Sequence, residues 1–158
     1  MAKADSSYRI VDEPTPSALE RVSVNPVWPF FATMFAGAWL AWPWFVINSF
    51  ALGSSRRFGD LALVLAGFAL TAVSVVVFGA LLAGQVLDQK SLAYALLVPQ
   101  ALRVTLAYVL YLRQTSTFEL FQYFGGVAKN GMLIVFAGAL LRGKLMSQMP
   151  GLWALLVA

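Results

Sequence analysis

Cysteine and histidine are both absent from this sequence. Without cysteine there are no disulfide staples, thiolate metal ligands or thiol nucleophiles. Without histidine, the commonest ligand for transition metals and haem and the usual proton shuttle at neutral pH are missing as well. Charge is scarce too: 11% of residues carry one, where a soluble domain has about a quarter. Seven acids face eleven bases, and the bases are scattered, so the basic stripe that a nucleic acid requires is not there.

What the sequence does have is apolar residues, 60% of its 158. A soluble domain of this size leaves roughly a third of its unfolded-chain surface exposed, and these residues could not cover that surface with polar groups. Hydrocarbon is therefore the expected solvent. The reading is an all-α, multi-pass transmembrane helical bundle over 27–158, preceded by a polar N-terminal tail over 1–26. The tail has no charged start followed by an apolar core, so the first apolar segment is expected to act as both targeting signal and anchor. Ser17 and Glu20 make a capping box, which predicts a short helix over 17–24 with Leu19 and Val22 on one face, against a membrane surface or a partner; a disordered tail is the alternative.

Four spans are predicted, at about 27–52, 61–87, 92–112 and 127–146. The first is longer than a ~30 Å core needs and is expected to bend at Pro43, which removes a hydrogen bond to Trp39. In the second, Gly67, Thr71, Gly79 and Ala83 recur at helical spacing and form a packing stripe. The fourth is marginal: its unbroken apolar run is short, and it crosses only if Lys129 snorkels to the headgroups. With four spans, Lys3, Arg9, Arg21, Lys90, Arg142 and Lys144 share one side, and Arg56, Arg57, Arg113 and Lys129 the other. That slight bias places both termini in the cytoplasm.

Two constellations are candidates for binding. Arg103 falls near the middle of the third span, where a cation costs roughly 2.5–3.5 kcal/mol, with Gln100 one turn earlier and Pro99 freeing a carbonyl. Either this patch holds an anionic group or another subunit's carboxylate, or the helix starts nearer Pro99 and Arg103 snorkels to phosphates. The first span carries Trp39, Trp42 and Trp44, with Asn48 beyond them. These rings present a contact surface for a protein, pigment or lipid tail, or else sit at an interface where tryptophan is at home. Asp60, Asp88 and Glu119 are expected in loops, which leaves no carboxylate inside a span for proton-coupled transport.

Two stretches, Ala36-Gly37 with Asn48, Leu52-Gly53 and following bases, and Leu110-Tyr111 with Gln114 and Gly125-Gly126, resemble a group of small uncharacterised bacterial inner-membrane proteins with about four helices. The gap from Ala36-Gly37 to Asn48 is longer here by about one helical turn. The resemblance implies a multi-pass protein of the bacterial inner membrane and no particular activity. Lacking reactive constellations, the chain is expected to be a non-catalytic accessory or structural subunit of a membrane complex, in contact with lipids and with other subunits or itself. The alternatives are a small oligomeric transporter or channel using Arg103 and Gln100, and a lipid- or pigment-binding module; no other cofactor is expected, and no nucleic acid.

Overall fold

The computed structural model describes residues 18–86, 88–149 and 151–156, and every regular element among them is helical. The elements are α1 (Val27–Phe35), α2 (Ala38–Ala51), α3 (Arg57–Ala83), α4 (Gln89–Ala95), α5 (Leu97–Tyr123) and α6 (Met132–Gln148), with 3-10 turns at Glu20–Val22 and Gly151–Leu156. The proposed N-cap Ser17 lies outside the described residues. Of the helix predicted over 17–24 there remains the single turn Glu20–Val22. Beyond it the backbone is drawn away from helical pairing: Lys129 N donates to Ser23 O at 2.8 Å, and Val24 N donates to the Asn48 side chain at 2.9 Å.

The first apolar segment is not one bent helix. It breaks at Gly37, whose φ of 96° and ψ of 172° lie in a region open essentially to glycine alone. The amides of Ala36 and Gly37 both close on Ala32 O, and Trp39 Nε1 donates to Ala36 O at 2.6 Å, so the carbonyl freed at the break is satisfied locally. Pro43 stays inside α2. The chain then folds back on itself. Val24 meets Asn48 at one end; Trp28 and Trp44 both crowd Gly131; Ala36 and Leu40 both crowd Gly138 at the tip. Thus α1 and α2 form an antiparallel hairpin, and α6 runs alongside α1. At 1.5 Å per residue, α1 is about 13 Å long and α2 about 21 Å, each shorter than a hydrocarbon core.

α3 and α5 are antiparallel. Asp60 pairs with Arg113 at one end, and seven residues further in, a side chain on Gly67 would overlap Leu106 and Trp42. α5 does not stop at Leu112 but runs to Tyr123, because Arg113 and Gln114 find partners inside the bundle. Pro99 falls in its first turn, where the missing N–H costs nothing, and this separates α4 from α5 with only a slight break. α6 begins at Met132, after Lys129 has bonded to Ser23, and not at 127 as predicted. The core is centred on Trp42, Phe45, Ala107 and Leu110, with Trp42 edge-on to Phe68 at 4.7 Å.

The expected packing stripe is used in part. Gly67 and Thr71 are buried, and the Thr71 hydroxyl returns to Gly67 O at 2.9 Å. A side chain on Gly79 would meet nothing within 4 Å, and Ala83 is exposed.

Candidate functional site

Polar side chains gather at two levels of the bundle. The first is where α2, α3 and α5 come together. Asn48 Nδ2 donates to Gln114 Oε1 at 3.0 Å, Gln114 Nε2 donates to Phe45 O at 2.8 Å, and Asn48 Oδ1 accepts from Val24 N. Beside this chain, Asp60 accepts from Ser49 Oγ on one oxygen at 2.7 Å and from Arg113 Nε on the other at 2.8 Å. Asn48, Ser49, Asp60 and Gln114 are all buried. Each buried amide and carboxylate in this layer has a partner, which is the condition under which such a network holds a fold rather than weakening it.

Asp60 is therefore no loop residue: it stands in the first turn of α3, and Glu119 lies exposed on α5. Asp88 caps α4 by accepting from Ser91 N at 2.8 Å. Hydrogen bonding from Ser91, its hydroxyl first and its backbone N–H second, holds the Asp88 carboxyl below the usual range.

The second level lies ten residues back along α5 from Arg113, about 15 Å away. Here Arg103 is 3% exposed. Its Nη1 donates to Gln100 Oε1 at 3.4 Å and its Nη2 to the carbonyl of Leu155 in the Gly151–Leu156 turn, while Nε has no acceptor. At the tip of the hairpin, Arg142 Nη1 donates to Met34 O and Phe35 O, the carbonyls that end α1, where the helix dipole is negative. Among the described residues neither guanidinium has a carboxylate partner, and the ion pair found there is Asp60–Arg113.

Arg103 also lines a cleft of about 300 Å³ between α3 and α5. Its floor includes Gly67, Thr71 and Trp42, and its rim Leu70 and Leu102, which are 47% and 44% exposed, so it opens sideways onto the outer face of the bundle. The volume is at the lower end of small-molecule sites. Trp42, like Arg103, carries a buried donor without an acceptor, at Nε1. Leaving such a donor unpaired costs roughly 1–3 kcal/mol.

The candidate binding residues thus divide. Arg103, Gln100 and Trp42 come together at the cleft or beside it. Trp39 closes the hairpin tip, Trp44 packs beside Gly131, and Asn48 belongs to the other polar layer, about 16 Å from Arg103 along α5 through its partner Gln114. Sequence reasoning missed Leu155 and Arg142 as neighbours of this level, and Asp60, Arg113 and Ser49 as members of the first. The signal for the latter was polar residues flanking apolar runs, which reads equally well as an interface.

The arrangement defines an all-helical protein with two helices, Arg57–Ala83 and Lys90–Tyr123, long and apolar enough to cross a membrane. Comparisons with family models, characterised proteins and solved structures return no match.

Proposed function

We propose that this chain is a non-catalytic membrane-embedded binding protein that takes a hydrocarbon-soluble small molecule into the α3/α5 cleft. α3, α5 and α6 cross the bilayer, and the α1/α2 hairpin enters it and returns to the side it came from. Arg56, Arg57, Arg113 and Lys129 then lie with Arg21 on one side, leaving Lys90 and Lys144 on the other, so the N-terminal side faces the cytoplasm and the turn at Gly151–Leu156 approaches from the opposite face. A bacterial inner membrane suits this polarity. With Asp60–Arg113 at one boundary, Arg103 sits about 15 Å deep, near the middle of a ~30 Å core.

The observation that carries the reading is a sideways-opening apolar cleft at that depth, with two lining residues whose buried donors lack acceptors. Molecules dissolved in the hydrocarbon reach such a cleft directly. Analysis of small molecules extracted with the purified chain and with Ala66→Phe, which fills the cleft from its rim, tests this. A bound molecule present in the first and missing from the second is expected; identical extracts from both would count against the reading.

A second reading, an accessory subunit within a larger complex, is favoured by a hollow of about 490 Å³ beside Gly79, lined also by Val75, Val76 and Trp153. Small residues facing outward let another helix approach closely. Loss of a co-purifying subunit on changing Gly79→Leu would support it, and a monodisperse monomer from the native membrane would oppose it.

A further inference from the structure

Resting on the binding reading, we infer that the occupant of the α3/α5 cleft is a single-chain amphiphile with a carboxylate head, seated on the Nε–Nη2 edge of Arg103.

Charge gives the first reason. Arg103 is buried among neutral acceptors, the Gln100 amide and the Leu155 carbonyl, and the one buried carboxylate among the described residues already has both oxygens engaged by Ser49 and Arg113. The second guanidinium, Arg142, is itself met by carbonyls, those of Met34 and Phe35. A cation inside hydrocarbon is tolerated when paired or solvated by strong acceptors, and an anion supplies more than a neutral head does.

Geometry gives the second. Nε–H and one Nη2–H lie on the same edge of the guanidinium and point in parallel, which is the fork a planar two-oxygen head matches. Nε is covered but has no acceptor, and Nη2 is engaged by Leu155 O, so a carboxylate takes the Nε–Nη2 edge once the Gly151–Leu156 turn gives way, sharing Nη2 with that carbonyl or displacing it. The Gly151–Leu156 turn that supplies Leu155 is short and lies against α3, so it can give way without unpacking a helix.

Size and lining give the third. Beyond Arg103 and Trp42 the walls are made by residues such as Leu63, Leu106 and Val109, suited to a hydrocarbon tail and of no use to a free inorganic anion. About 300 Å³ holds part of one chain, the rest of which passes out through the open side, and leaves no room for the two chains and glycerol of a phospholipid, whose headgroup would also remain at the boundary, about 15 Å from Arg103.

The test uses the full chain in phosphatidylcholine vesicles at alkaline pH, with dibromostearate and its methyl ester as quenchers of tryptophan fluorescence, since Trp42 forms part of the cleft. Saturable quenching by the acid is expected, with the ester at least about ten-fold weaker, a difference of about 1.4 kcal/mol. Arg103→Gln should weaken the acid by a similar factor and leave the ester unchanged, whereas Ala66→Phe should abolish saturable quenching by both while leaving α-helix content intact. Ester and acid saturating equally would overturn the carboxylate inference and leave the binding reading standing. Quenching that never saturates with either would remove both.

Discussion

Gln114 and Asn48 join α2 to α5, and a double-mutant cycle on the pair reads the strength of that join directly. In Gln114→Leu, Asn48 Nδ2 loses its acceptor, while Phe45 O loses only a second donor. One orphaned buried donor costs about 1–3 kcal/mol, so a loss of about 2 kcal/mol is expected. Asn48→Leu leaves two groups unpaired, Val24 N–H and Gln114 Oε1, and should cost about 3 kcal/mol. The double variant orphans only Val24 N–H, because the shared bond is lost once rather than twice. By the same count it should cost about 2 kcal/mol, less than Asn48→Leu alone, which gives a coupling of about 3 kcal/mol, the upper end for residues in direct contact. That end is appropriate because both side chains are fully buried and each amide also bonds backbone. Reversible unfolding in mixed micelles of an ionic and a neutral detergent, followed by circular dichroism, supplies the four free energies. Additivity to within about 0.5 kcal/mol would refute the claim that this layer holds the bundle together.

Other outcomes follow from single positions. Gly37→Ala should lose about 1–3 kcal/mol in the same assay because alanine does not adopt the Gly37 backbone conformation, whereas Gly143→Ala, with open space around it, should not destabilise. Asp60→Ala strips a buried acceptor from Ser49 and Arg113 and should cost about 3 kcal/mol, the low end for breaking a buried pair because Arg113 is partly exposed. The Asp88 carboxyl is depressed in the folded chain, so its capping of α4 is fully present above the ordinary carboxylate pKa and is lost as pH falls through the lowered value. Amide exchange at Ser91, corrected for its intrinsic pH dependence, should accelerate over that acid window and stay flat above it.

The apolar runs at 61–87 and 92–112 were legible as helices because length and hydropathy are local properties, and Arg103 stood out for the same reason. What local pattern does not carry is pairing at a distance. Arg113 and Gln114 look like the end of a span until their partners, 53 and 66 residues away, are known, and those partners let α5 run on to Tyr123. Asp60 looked like a loop acid for the same reason. At Gly37 the sequence offers a glycine and, six residues later, a proline; proline is the stronger local breaker, but the turn depends on a backbone conformation that only glycine supplies. The stripe on α3 was readable as a face, but which half of it another helix would fill depends on where α2 and α5 come to lie.

The proposed re-entrant course of the α1/α2 hairpin underlies the charge asymmetry assigned to the chain, and the chain's lack of cysteine allows a direct test of it. Single cysteines at Ala18, Ser55 and Gly125, and at Gln85 and Ser147, all exposed positions, are labelled in sealed membranes with an impermeant maleimide applied to one face. Labelling of the first three from one face and the last two from the other is the result the account predicts; Ala18 and Ser55 labelling from opposite faces would contradict it.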